Sequence, residues 1–284
     1  MPKRVESPSS INTFKQCARK YYYQYLLKLP TLPNIHQIRG NIAHETLEQF
    51  YEADVSSFTS ENYMGKCRER IQSLLLQSWK KFQPKLRGLP LPPDQERFYF
   101  EETMLMLMNW TTHFLQDIQK VMQEKNLPVQ EAFKLLTPIR EQEFKSEAYS
   151  VRGFVDAIRQ VGEEVHIIDY KTNNSFEFKD SIKLQLAIYS LLYLEKNGKA
   201  PNKVGIFFLR HKLKLWPVDE NLLQLARREI ELIHAHTSLT EDVKDYPKTV
   251  TPLCKWSSGQ CDFYEVCRPH EKEIPSTNNL NSNT

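Results

Sequence analysis

The sequence predicts an α/β fold with a central mixed sheet, and three observations lead there. Residues 151–171 read as two short strands, one built on Val151, Phe154, Val155 and Ile158 and the other on 165–171, joined by a tight turn at Gly162. A strong helix at 180–195 follows, then two more strand-like runs at 203–209 and 212–217. Upstream, residues 55–135 read as a helical insertion set before a first strand at 139–149.

The chain of 284 residues is long enough for one sizeable core with such an insertion. Apolar residues make up 40% and aromatics 11%, the composition of a globular chain. No stretch approaches the roughly 20 apolar residues of a membrane span. The N-terminus, MPKRVESPSS, lacks an apolar signal core, so a cytoplasmic location is expected. Net charge is +3, from 38 basic and 35 acidic residues, which neither demands nor excludes a nucleic-acid partner. No glycine-rich phosphate loop ending in Lys-Ser/Thr occurs, so no ATP-driven motor is expected.

In chain order, SPSS caps a first helix over 7–29 that interleaves Phe14, Tyr21, Tyr22 and Tyr25 with Lys15, Arg19 and Lys20. Pro30 and Pro33 end it. Arg39-Gly40-Asn41-Ile42-Ala43-His44 opens a second helix, running to about residue 53. Within the insertion, 63–82 and 96–124 read as long helices joined by the proline-rich PKLRGLPLPPD. A polar loop, TNNSFEFKD, precedes the helix at 180–195, and another helix is expected at 220–236. Residues 276–284 read as a disordered tail after a single domain over 1–275.

Chemistry concentrates at 153–171. Side chains alternate along a strand, so Asp169 and Lys171 share a face, and a paired strand can bring Asp156 beside them. Carboxylates suit Mg²⁺ or Mn²⁺, and a neighbouring lysine can orient a water. Charges at the end of the apolar run Val165, Ile167, Ile168 need such a reason to be there. Gln185 and Tyr189, four apart, share one helix face. Of the five cysteines, Cys254-x6-Cys261-x5-Cys267 form a compact set, with Cys17 far upstream and Cys67 alone in the insertion. Four thiolates suit either Zn²⁺ or an iron–sulfur cluster, and spacing alone does not choose.

Five ordered strings resemble the PD-(D/E)XK nuclease superfamily in its RecB-like branch. They are Phe14-x-x-Cys17-x-x-Lys20-Tyr21-Tyr22-Tyr23, Gly40-x-x-x-His44, Gly153-Phe-Val-Asp156 with Asp169-Tyr-Lys171, Gln185-x-x-x-Tyr189, and Cys261-Asp-Phe-Tyr-x-x-Cys267. The resemblance implies a restriction-endonuclease-like core and metal-dependent hydrolysis of DNA. It implies that His44, Asp156, Asp169 and the carbonyl of Tyr170 hold Mg²⁺ or Mn²⁺, with Lys171 catalytic and Gln185 and Tyr189 supporting the site. A further acidic residue is implied on the 139–149 strand; Glu141 and Glu143 both fit, and Glu143 is preferred. The terminal cysteines resemble those of AddB-type and CRISPR-associated nucleases, where one early and three late cysteines hold a 4Fe–4S cluster, here Cys17, Cys254, Cys261 and Cys267. That cluster is expected to staple the chain ends together. The expected activity is an exonuclease on single-stranded DNA, in repair, recombination or CRISPR-type processing, with a helicase or repair partner supplying single strands. The alternative is a non-catalytic DNA-binding or assembly subunit on the same fold.

Overall fold

A computed structural model describes residues 4–257 and 259–269; the expected tail at 276–284 lies outside the described residues. A five-stranded sheet lies between two helical layers. Its strands are β1 (Ile139–Ser146), β2 (Val151–Val161), β3 (Glu164–Lys171), β4 (Lys203–Phe208) and β5 (Leu213–Pro217), in that spatial order. Only β3 and β4 pair in parallel, because the helix between them returns the chain to the same end of the sheet. The other three pairings are antiparallel, so the sheet is mixed as expected.

One layer contains α1 (Pro8–Gln16), α2 (Ala18–Tyr21), α7 (Asp180–Asn197) and α8 (Glu220–Thr237). Its core takes Val155, Ile158, Ile167, Val204, Ile206 and Phe208 from the sheet. The opposite layer contains α3 (Ile35–Phe50), α4 (Tyr63–Arg87), α5 (Pro93–Lys125) and α6 (Val129–Leu136). That core takes Ala157, Ile168, Tyr170 and Phe207. Ile167 and Ile168 thus serve opposite layers, as strand alternation requires. The insertion is not an appendage: Phe50 of α3 is fully buried among Trp110, Phe114 and Phe133, with ring centroids 5.0, 5.5 and 5.9 Å away. A short hairpin of β6 (Lys255–Trp256) and β7 (Gly259–Gln260), then α9 (Tyr264–Cys267), carries the late cysteines.

Three local expectations change. The single helix expected over 7–29 breaks at Cys17, whose backbone is extended (φ −164°, ψ 110°), and ends in a π-helical turn at Tyr22–Leu26. Its capping box at Ser7 and Ser10 sets only the start. The histidine helix starts earlier than Arg39, because the Asn34 side chain accepts a hydrogen bond from the Gln37 backbone N–H at 2.9 Å. The connector inside the insertion shrinks to 88–92: Pro84 sits in the last stretch of α4, and Pro93 occupies the first position of α5, where proline costs no hydrogen bond.

Candidate active site

The site forms where the sheet opens. The β2–β3 ladder ends at the pair Ala157–Ile168, and β1 pairs with β2 on either side of Glu141 but not at it. Glu141 has φ +45°, a left-handed conformation that is costly for a residue with a Cβ. On β2, Val155 and Ile158 join the same core although three residues apart, so the alternation slips between them, at Asp156. Asp156 replaces the missing ladder bond with its own side chain: Oδ2 accepts from the Tyr170 backbone N–H at 2.7 Å.

His44 enters from α3. Its Nδ1 lies 3.4 Å from Asp156 Oδ1, and its Nε2 lies 2.9 Å from the Tyr170 carbonyl oxygen. Gly40, one turn earlier, brings the helix against Thr172; a Cβ there would meet Thr172 Oγ1 at 3.8 Å. His44, Glu141 and Asp156 each offer a ligand atom, and these atoms lie within 4.8 Å of one another. Asp169 is 2% exposed. Its Oδ1 accepts from Gln185 Nε2 at 2.8 Å, and Lys171 Nζ stands 2.8 Å from Oδ2. Among the described residues the Lys171 ammonium is the one polar partner of the buried Oδ2, which leaves it with a further lone pair for a cation. Gln185 Nε2 also donates to the Tyr189 hydroxyl at 2.9 Å, which locks the amide that holds Asp169. Tyr189 in turn lies against Gly153, where any Cβ would sit 2.9 Å from its ring. The glycine of the G-x-x-D string is therefore the seat of the tyrosine.

Electrostatics follow from crowding acids in a partly dry site. Burial, then the Asp156 charge, pushes the Glu141 carboxyl up to about 7. Burial pushes Asp169 up, against the pull of Lys171. Burial alone would lower His44, but the charge and hydrogen bond of Asp156 raise it to about 9. Burial opposes the charge on Lys171 too, and Asp169 outweighs it, so the lysine stays a cation. A cluster that retains protons near neutrality is one that a divalent cation would complete. The site opens into a groove of about 790 Å³ whose lining includes Ser9, Asn41, Glu45, Glu48, Lys81 and Lys171.

The structure brings His44, Asp156, Asp169, Tyr170, Lys171, Gln185 and Tyr189 together. It corrects the preference for Glu143, which is exposed and outside the cluster; Glu141 takes the place instead, because its left-handed backbone breaks the strand pairing there. No sequence signal announces that conformation. The groove also takes Glu48 and Lys81, which none of the five strings contains; Glu48 is four positions after His44, a spacing that puts both on one helix face.

Cys17, Cys254, Cys261 and Cys267 line a second cavity, of about 260 Å³, together with Lys20, Tyr23, Lys248 and Phe263. All four are free thiols, and Cys67 is buried elsewhere, inside the insertion core. The break at Cys17 is what turns this residue toward the late cysteines.

The family model of the PD-(D/E)XK nuclease superfamily matches residues 6–268. No curated protein matches the chain. Among solved structures, a candidate exonuclease from Eubacterium rectale superposes with a TM-score of 0.52 at 14% identity, covering 96% of this chain and 91% of that one.

Proposed function

The chain belongs to the PD-(D/E)XK nuclease superfamily, and from that premise we propose that it is a metal-dependent deoxyribonuclease acting as an exonuclease on single-stranded DNA. The observation that carries the reading is the clustering of His44, Glu141 and Asp156, with the Asp169–Lys171 pair on the adjoining strand, at a groove that His44, Glu141 and Lys171 line. A binding module has no need for a buried aspartate paired with a lysine beside a glutamate whose carboxyl is raised to about 7. The donor set of one imidazole, three carboxylates and the nearby Tyr170 carbonyl fits Mg²⁺ or Mn²⁺. When bound, the cation polarises the scissile phosphate and lowers the pKa of its water. Lys171, a fixed cation beside Asp169, orients the attacking water and stabilises the charge that grows on the phosphoryl oxygens. Gln185 and Tyr189 keep Asp169 in one rotamer.

For the second cavity we assign a 4Fe–4S cluster to Cys17, Cys254, Cys261 and Cys267. Four thiols from one early and three late positions line one cavity of about 260 Å³, the ligand set and chain order that the resemblance attaches to a 4Fe–4S cluster. The cluster would tie the first helix to the late cysteine hairpin. A preparation that is colourless and holds zinc, with no iron or acid-labile sulfide, would remove the assignment.

The test of the activity uses anaerobically purified protein and single-stranded DNA labelled at either end. With Mg²⁺ or Mn²⁺ we expect stepwise shortening from one end, abolished by chelator. Lys171→Ala should lower the rate by about 10³ or more while leaving the melting temperature near that of the parent. Full activity in that variant would overturn the role of Lys171, and internal cuts in circular single strands would overturn the exonuclease reading. Processing of a duplex should need a helicase partner, since the chain has no motor motif of its own.

A further inference from the structure

The polar loop 172–179, directly after Lys171, carries two phenylalanines that a solvated loop does not need. Both lie across β5. Phe178 stacks on Trp216 with ring centroids 3.8 Å apart and planes 17° from parallel. Phe176 packs on His211 at 4.7 Å and is held by Lys214, whose Nζ lies 3.6 Å over its ring and donates to its carbonyl oxygen at 3.1 Å. Lys214 and Trp216 are two apart on one strand, so they share its face. All four rings and Lys214 remain partly or fully exposed, as do Lys179, Lys183 and Lys212 around them. Four lysines stand on this strip against Glu177 and Asp180.

The strip begins at the edge of the groove, because its loop follows directly on Lys171, which lines the groove. Lys171 pairs with Phe208 on β4, and β4 pairs with β5, so β5 is two strand spacings, about 10 Å, from the catalytic strand. The β4–β5 turn is fixed where it would border a substrate. Leu209 N–H donates to the Lys171 carbonyl, and Asn109 of α5 donates to the carbonyls of Leu209 and His211. Trp216 stands level with Ile167, four residues before Lys171 and two strands across, about 16 Å from the lysine. An aromatic platform ringed by lysines at that distance from a phosphodiester site, a span of two to three nucleotides, matches the chemistry of one extended nucleic-acid strand. A duplex keeps its base faces inside the stack and has nothing to offer Trp216 or Phe178.

We propose that loop 172–179 and β5 form a stacking platform for unpaired bases next to the cleavage groove, with Trp216 and Phe178 taking bases and Lys179 and Lys212 taking phosphates. The inference rests on the proposed reading of the groove and supplies a reason for a single-strand preference.

Binding of a fluorescent single-stranded oligonucleotide, followed by anisotropy in EDTA, tests it without cleavage. Trp216→Ala should weaken binding about tenfold, and Trp216→Phe should recover most of that. A strand of the same length made of abasic sites should bind the parent and Trp216→Ala alike. Lys212→Glu, at an exposed position that packing does not constrain, should weaken binding and reduce its salt dependence by about one to two ions. Parental affinity in folded Trp216→Ala, or in Lys212→Glu should Trp216→Ala not fold, overturns the platform. So does an equal loss on the abasic strand, which would leave charge alone. Because EDTA silences hydrolysis, a chain that binds through this strip but cuts nothing with metal would sink the nuclease reading and leave the platform standing.

Discussion

Glu141 shows how one residue's conformation sets the properties of the site. Its φ of +45° interrupts the β1–β2 ladder, and the released carboxylate joins His44 and Asp156. There it is raised to about 7 by burial and by Asp156, from a reference of 4.5. A carboxyl raised on folding stabilises the metal-free protein fully below its unfolded value and loses that contribution as pH rises through about 7. In chelator, the parent should therefore lose on the order of 2 kcal/mol relative to Glu141→Gln between the acid range and neutral pH. Urea titrations at a series of pH values measure this. Added Mn²⁺ should restore the parent, not the variant, with release of protons near neutral pH. A pH-independent difference between the two would mean that Glu141 faces solvent.

At the scale of elements, the histidine helix must be held at a fixed height over the sheet. Glu102 of α5 does this by accepting from Arg39 of α3 at 2.6 Å and from both terminal nitrogens of Arg210, just past β4, at 2.6 and 2.9 Å. Arg39 is only 3% exposed, so loss of its partner would strand a buried cation. The Arg210 hydrogen bonds, helped by Arg39, hold the Glu102 carboxyl below its usual range. Its contribution is thus present above the ordinary carboxylate range and lost as pH falls through the lower folded value. Glu102→Gln should cost roughly 3 kcal/mol at neutral pH and less in acid, read by urea unfolding at both. It should also weaken Mn²⁺ binding, because His44 rides on the same helix as Arg39. An unchanged denaturation midpoint would show that the clamp is dispensable.

Across the whole molecule, the two cavities sit at the two ends of one structural chain. Cys17 opens α2, and Tyr21 of α2 donates to the buried Glu6 carboxylate at 2.6 Å. Glu6 in turn bridges to Val151 at the start of β2, the strand that carries Asp156. Arg19 reaches across to the carbonyl of Tyr246, near the late cysteines, at 2.7 Å. Cys17→Ser should therefore raise hydrogen exchange first in residues 7–26 and 246–267, with the α3–α6 layer protected as before. Uniform loss of protection across both layers would instead make the cysteine site part of the global core.

The five strings that resemble the family were legible because each is local: side chains set four apart on a helix or two apart on a strand reveal their shared face without knowledge of the fold. The apolar strand runs and the strand–helix–strand order were legible for the same reason, as was the grouping of the late cysteines. What the strings could not supply was convergence across the chain. The choice of Glu141 over Glu143 depended on a left-handed backbone that no propensity favours for glutamate. The break at Cys17 sets it on a cavity shared with cysteines some 240 positions away, and the Arg39–Glu102–Arg210 clamp needs three elements to meet. A local preference is worth a fraction of a kcal/mol, and contacts between distant elements, such as the Glu102 clamp, are worth more and lie beyond any local string.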